Sequence, residues 1–273
     1  MFNRLILILG SVLVSACGSS SGDESNPDLL PQNNSPNVPR YEVPKTINGF
    51  YLTSETVTFE NGDVFRQIDY ELDSANKTLS QFSIDSNGDR VLDIVFSFDD
   101  DGQIVSEEVF IENGEISQTS NHVYDSQRRL VSTETLLSEE PFLTTNYFFN
   151  DVGAPFQNVV KATNDNIDFS TTTYQYDSDR RLTSSILNTP LLPADIRKLY
   201  TFSADGTQLL SVDEQIDGGA SYEYDSNGNV VREITRNGDE VITGISEFSY
   251  ERTNMIVPNV ILHQLAYEFD RLF

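Results

Sequence analysis

The chain has 273 residues, a length that fits one large domain or two small ones. It carries 43 acidic and 17 basic side chains, and this formal net charge of −26 excludes nucleic acids and anionic lipid head groups as direct ligands, because both need a basic surface. Hydrophobic residues make up 38% of the sequence, which is enough for a folded core, and the single cysteine cannot form an internal disulfide.

Residues 1–16 have the pattern of a processing signal. Their apolar stretch ends at Ala16 after about 12 residues, whereas a membrane-spanning helix needs roughly 20. The sequence Val14-Ser15-Ala16-Cys17 resembles the lipobox of bacterial lipoproteins. The resemblance implies cleavage before Cys17, acylation of its thiol and new amino terminus, and attachment to a membrane through that lipid. The alternative is an ordinary secretory signal with an incidental cysteine.

The residue after the lipobox cysteine bears on localisation. In the sorting rule known for such lipoproteins, an Asp at that place retains the protein in the inner membrane, and Gly18 stands there instead. The resemblance therefore implies a lipid-anchored protein of the outer membrane, on its periplasmic or its external face.

Residues 17–45 differ from the rest of the chain in composition. They are rich in Ser, Asn, Asp and Pro, and they contain few bulky apolar residues. Such a segment cannot bury enough surface to offset the entropy of ordering, so we predict a disordered tether. A coil of this length reaches roughly 30 Å, and about 90 Å when stretched. The folded domain is then predicted to be residues 46–273.

The folded domain is an internal repeat with a period of about 26 residues. Each copy contains two aromatic positions separated by one residue, usually followed by an acid. The clear copies begin at Phe96, His122, Tyr147, Tyr174, Tyr200, Tyr222 and Phe248, with a weaker copy at Tyr70 and a truncated one at Tyr267. Residues two apart lie on the same face of a strand, so each pair predicts one strand.

The residues after each aromatic pair are typical of a tight turn. In Asp225-Ser226-Asn227-Gly228, the Asp side chain can accept bonds from backbone amides, and the glycine supplies the positive φ of a type I turn closed by a bulge. Residues 99–102 repeat this pattern, whereas Arg128 and Arg180 replace the glycine at a cost in backbone strain. A return strand and a second turn, often Asn-Gly, complete a β-hairpin with strands of roughly nine residues.

These copies resemble the YD repeats of Rhs-type bacterial surface proteins, whose core is Tyr-Asp, two residues, then Gly-Arg-Leu. They are closer still to lipoproteins of unknown function whose longer hairpins form a large curved sheet described as porin-like. The resemblance covers about residues 50–273. It implies architecture and export, and at the family level it suggests binding to a glycan or to the cell surface. The signature that closes Rhs toxin shells is missing, so we do not expect a polymorphic toxin.

The predicted fold is all-β, an antiparallel meander of about 16–18 strands. A sheet of so many strands curls, and we expect a closed or nearly closed barrel. In a flattened form of this barrel, the aromatic face would pack against itself across the interior. An open single-layer β array is the alternative. The terminal spacing of Leu265, Tyr267, Phe269 and Phe273 is like an assembly signal of membrane-spanning barrels. Polar strands such as residues 117–123 argue against a span, because they offer no apolar band to lipid.

One turn is a candidate calcium site. Residues 85–93 place oxygen-bearing side chains at relative positions 1, 3, 5 and 9, and so resemble the calcium loops of thrombospondin type 3 repeats and dockerins. The candidate ligands are Asp85, Asn87, Asp89 and Asp93. Arg90 replaces the usual glycine at position 6, and Phe96 stands where an EF-hand has glutamate. The alternative is an Asn-Gly hairpin turn with solvated acids.

The sequence predicts no enzyme. His122 occupies an aromatic position of the repeat, which predicts a packed ring, and neither it nor His263 belongs to a recognised zinc or triad motif. Two hypotheses for function remain. The first is a binding module for a glycan or an envelope protein, and the second is a structural envelope protein or spacer stiffened by calcium. Aromatic rings in an exposed groove would favour the first, and rings that all face the interior would favour the second.

Overall fold

The computed structural model describes residues 46–111, 113–151, 153–163, 168–178, 181–192, 194–206, 208–214 and 218–261. Its regular elements are 16 strands: β1 (Thr46–Thr58), β2 (Val64–Asp73), β3 (Thr78–Ile84), β4 (Arg90–Phe98), β5 (Ile104–Phe110), β6 (Ile116–Tyr124), β7 (Leu130–Leu137), β8 (Glu140–Phe149), β9 (Pro155–Ala162), β10 (Asp168–Tyr176), β11 (Leu182–Asn188), β12 (Ile196–Phe202), β13 (Leu209–Glu214), β14 (Gly218–Tyr224), β15 (Val230–Arg236) and β16 (Ile242–Pro258). The signal, Cys17, the tether and the terminal residues 262–273 lie outside the described residues.

The sheet is a closed barrel. Each strand pairs antiparallel with its neighbours in chain order, and β1 pairs with β16, from Thr46 opposite Pro258 to Thr58 opposite Ile245. The predicted meander and its closure are confirmed, and the open array is excluded. We call the end at which β1 begins the proximal end, because the chain enters the barrel there at Thr46. The distal end carries the turns that follow the odd-numbered strands.

The aromatic repeat faces the interior. On β4, Ile94, Phe96 and Phe98 are buried while the residues between them are only half-buried, so alternate side chains point inward. Buried side chains from β1–β5 and β13–β16 form one apolar cluster, in which Phe96 is fully buried. Along β6–β12, buried polar side chains such as Thr145 and Asn158 mix with the apolar ones. A circular 16-stranded barrel encloses a channel, so this burial indicates an interior filled with protein.

The last residues of β16 cross the proximal end. A shift in the β1–β16 pairing falls beside Gly49, whose φ is +82°, and the strands bend there. Val257 and Ile261 then join the buried apolar cluster. A Cβ on Gly102, in the turn between β4 and β5, would lie 2.9 Å from the Ile256 side chain. Because β4 is four strands from β16, this contact requires the chain to fold over the barrel end.

The predicted turn chemistry is confirmed at the proximal end. Gly102, Gly206 and Gly228 all have positive φ, and Arg128 adopts φ +64° in the place of a glycine. The strain at Arg128 is offset by contacts with the neighbouring turn. Its guanidinium lies 2.6 Å from Asp101 and donates to the Gln103 side chain. Arg180 lies outside the described residues.

Four tyrosines make the same bond. The hydroxyl of the second aromatic residue in a repeat donates to the carbonyl of the first residue of the preceding strand. At that first residue, a bulge interrupts the pairing of the preceding strand with the strand before it. The pairs are Tyr124 with Ile104 (2.7 Å), Tyr176 with Pro155 (2.6 Å), Tyr224 with Leu209 (2.7 Å) and Tyr250 with Val230 (2.8 Å). These bonds give each carbonyl a side-chain donor, and so tie each pair of strands together near the proximal end.

Candidate functional site

The candidate calcium turn lies at the distal end, between β3 and β4. The Oδ1 atom of Asp85 accepts the backbone amides of Asn87 (2.8 Å) and Asp89 (2.9 Å). The Asp89 amide, followed by the Asn87 amide, lowers the pKa of the Asp85 carboxyl below its ordinary value. Asp225 makes the same two bonds, with the amides of Asn227 and Asn229, in a turn at the other end of the barrel.

The structure brings three of the four candidate ligands into one turn. Asp93 stands apart, on β4, where its Oδ1 accepts the hydroxyl of Ser83 at 3.1 Å. Among the residues that the structure describes, no group of three or more His, Cys, Asp or Glu side chains is arranged to hold a metal. The bonds that Asp85 accepts within the turn are those expected of a hairpin turn without a metal. Calcium binding here stays a prediction.

Calcium binding predicts a selective gain in thermal stability. At fixed ionic strength, the melting temperature of the wild type should rise with calcium, and that of Asp89→Asn with Asp93→Asn should rise less. A ligand that binds only the folded state stabilises by about 2.7 kcal/mol at a hundred times its dissociation constant. These variants keep the backbone bonds to Asp85, so the turn itself is preserved. If calcium raised the melting temperature equally in both proteins, or if magnesium raised that of the wild type as much as calcium does, the loop would be a hairpin turn and not a calcium site.

A buried acid and imidazole lie side by side in the barrel wall. Nε2 of His122 is 3.4 Å from Oε1 of Glu107, with each side chain 4% exposed, and Nδ1 of His122 is 2.9 Å from the hydroxyl of Thr133. Hydroxyl, imidazole and carboxylate thus stand in the order of a nucleophilic triad. All three side chains are buried in the barrel. His122 is packed as the repeat predicted, whereas no pattern in the sequence indicates its acidic partner.

Two more charged groups are buried in the same interior. Nζ of Lys198 lies 3.5 Å from Glu214, and the Lys198 side chain is almost fully buried. Glu55 accepts the hydroxyl of Ser246 at 3.1 Å across the seam between β1 and β16. Burial, followed by the charge of Glu55, raises the pKa of Tyr70 well above its ordinary value. Such groups fix the pairing of particular strands, because each needs its own partner to be buried.

The distal end exposes apolar side chains that the sequence analysis did not single out. Phe59, Val64 and Phe65 flank the turn between β1 and β2, and Val241 ends the turn between β15 and β16. The two phenylalanine rings meet edge to face at 5.2 Å between centroids. We call these four residues the distal cluster. The alternation of apolar and polar residues along the strands does not reveal the distal cluster, because these residues lie in turns and at a bulge rather than on a regular strand face.

Comparisons with known proteins identify no family. No protein-family model matches the chain, and no curated protein matches it. A porin-like protein from Bacteroides uniformis is similar in structure, at 10% identity and a TM-score of 0.48, over 76% of this chain and 98% of that one. A porin-like protein from Bacteroides vulgatus has 10% identity and a TM-score of 0.28, over 73% and 98%.

A third solved structure shares part of this likeness. The structure of TcdB2-TccC3-TEV matches at 14% identity and a TM-score of 0.30, over 64% of this chain but only 10% of that one. At these identities and TM-scores the likenesses carry no argument about activity, ligand or partner.

Proposed function

We propose that this protein is a non-enzymatic, lipid-anchored envelope protein, and that its barrel is a rigid structural module held away from the membrane by the tether. The observation that carries the proposal is the direction of the aromatic repeat. The rings that could have formed an exposed binding groove line a filled interior, and Phe96, Phe98 and Tyr222 are buried there. Rings used in this way stabilise the barrel and are not themselves available to stack on a sugar.

The outer face of the barrel supports anchoring by lipid over insertion of the strands. On β8 the outward residues include Thr144 and Asn146, and on β10 they include Thr171, Thr173 and Gln175. A membrane-spanning barrel offers lipid an apolar band about 25 Å tall, and these residues interrupt such a band. The structure describes no helix that is long and apolar enough to cross a membrane.

The binding-module hypothesis is favoured by a different observation. The distal cluster exposes aromatic side chains at the end of the barrel farthest from the tether. Exposed apolar groups of this kind are typical of a surface that contacts another molecule. Binding to a protein through this end is compatible with a structural role for the barrel. Glycan binding through the repeat aromatics would require rings that face outward.

Replacing the lipobox cysteine tests the anchor and the barrel together. The wild type should incorporate labelled fatty acid and sediment with the outer membrane, whereas Cys17→Ser should remain unlabelled and enter the soluble fraction with an unchanged β-sheet circular dichroism spectrum. Ser19→Ala, in the neighbouring tether, is the matched control and should behave as the wild type. Recovery of Cys17→Ser in the outer membrane would show that the strands themselves are inserted, and would overturn the proposal.

A further inference from the structure

We propose that the distal cluster is a docking surface for a cationic polypeptide, in which Lys or Arg side chains surround an apolar contact. This inference goes beyond the structural role proposed above. Phe59 is 45% exposed, Val64 is 62% exposed and Phe65 is 65% exposed, so a large apolar area stands in water at one point of the barrel. Aromatic anchors of this kind carry most of the energy in protein interfaces.

The anchors are held in place before any partner arrives. The turn between them is closed by the Phe59 amide, which donates to the Asp63 carbonyl at 2.9 Å. Asn61 accepts the amide of Asp63 at 3.0 Å and donates to its carboxylate at 2.8 Å. A partner therefore meets an ordered hairpin, and little conformational entropy is lost when it binds.

Three neighbouring turns form the surroundings of the cluster. The pairing of β1 with β16 and with β2, and that of β2 with β3, make residues 237–241, 59–63 and 85–89 the turns of three consecutive hairpins around the distal end of the barrel. They contain six exposed acids and no basic residue: Glu60, Asp63, Asp85, Asp89, Asp239 and Glu240. None of the six forms an ion pair among the contacts of the described residues.

The nearest basic side chains do not neutralise this set. Arg66 lies 3.6 Å from the inward-facing Glu55, and Arg90 lies 3.6 Å from Asp69 and 3.3 Å from Glu71. Arg66 and Arg90 are therefore paired with acids outside the three turns. Arg236, which precedes the third turn, donates to the Ser221 hydroxyl at 3.2 Å. An apolar centre within an acidic rim attracts a partner of the opposite charge, over a range of about 8–10 Å at physiological salt.

The same charges argue against other occupants. A second copy docked through the same face would bring two acidic rims together, which repel. An anionic membrane surface would be repelled in the same way. The cluster also points away from the end to which the tether connects, and so remains accessible when the protein is anchored. A cationic, partly apolar polypeptide fits both the charge and the position.

The test uses a fluorescent synthetic peptide of alternating Lys and Leu as the probe, with the full chain carrying Cys17→Ser. Fluorescence anisotropy should show saturable binding that weakens as salt increases. Phe59→Ser with Phe65→Ser should weaken binding by about tenfold or more, because it removes both aromatic anchors. If that protein does not fold, Val64→Ser provides the same comparison. A peptide of alternating Glu and Leu should not bind.

Matched controls separate this surface from a general effect of charge and exposed rings. Phe148→Ser with Phe156→Ser removes another exposed pair of rings, 6.5 Å apart on the outer wall, and should leave the affinity within about twofold. Asp63→Asn with Glu240→Gln should weaken binding more than Asp100→Asn with Asp205→Asn, which makes the same change in charge at the proximal end.

Three results would overturn the proposal. The first is equal weakening by the distal and control pairs, which would indicate binding by net charge alone. The second is peptide binding that does not respond to Phe59→Ser with Phe65→Ser. The third is self-association in sedimentation experiments that this double variant abolishes, which would identify the cluster as a contact between copies.

Discussion

Replacing Phe96 by alanine is expected to lower the free energy of unfolding by about 3–5 kcal/mol, the usual cost when a fully buried aromatic ring leaves a cavity. Phe96 is 0% exposed and lies in the apolar cluster shared by strands on both sides of the β1–β16 seam. Urea denaturation followed by circular dichroism measures the change.

The matched control for this prediction is Phe156→Ala on the outer wall of β9. That ring is 39% exposed, so its removal should cost less than about 1 kcal/mol. Equal losses in the two variants would contradict the assignment of the repeat aromatics to the interior. Such a result would also remove the observation on which the proposed structural role is based.

Replacing the four carbonyl-bonded tyrosines, at 124, 176, 224 and 250, by phenylalanine is expected to cost about 4 kcal/mol in total. Each substitution removes one hydroxyl and leaves one strand-end carbonyl without its donor, at about 1 kcal/mol for each bond. Tyr51→Phe is the control, because its hydroxyl bonds to Glu251 on the exposed side. A quadruple variant as stable as the control would show that water replaces these bonds without loss.

Two of these tyrosines, Tyr224 and Tyr250, predict that the stability of the barrel falls at alkaline pH. Burial raises the pKa of Tyr224 from 10.0 to about 12, and burial also raises the pKa of Tyr250. The unfolded chain therefore loses these protons at lower pH than the folded barrel does. Their contribution to stability is complete below pH 10 and is lost as the pH rises through about 12. The free energy of unfolding, measured by urea denaturation between pH 10 and about 12, should depend less on pH in the double variant Tyr224→Phe with Tyr250→Phe than in the wild type.

Local sequence rules predicted the hairpins, because strands have a period of two and turns need particular residues. The aromatic pairs marked the inward face, and glycines such as Gly102 and Gly228 marked turns with positive φ. Closure was expected from the number of strands alone. The pairing of Thr58 with Ile245 joins residues far apart in the chain, and no local pattern specifies it.

The contacts of the candidate site residues were less accessible to sequence reasoning. The contact of His122 with Glu107 depends on the register between β5 and β6, which places residues 15 apart in the chain beside each other. Acids are so frequent in this sequence that position alone does not distinguish a buried one. The calcium motif was visible, but the same spacing also builds a hairpin turn, as Asp85 does through its bonds to backbone amides.

The seam between β1 and β16 has a consequence for the order in which the chain can fold. A polypeptide that emerges amino end first exposes β1 long before residues 242–258 become available to pair with it. Until then the growing sheet keeps two free edges, which invite pairing with other chains. Completion of the last strand converts both edges at once into a continuous ring. Truncation before Ile242 should therefore produce an aggregating species rather than a smaller barrel.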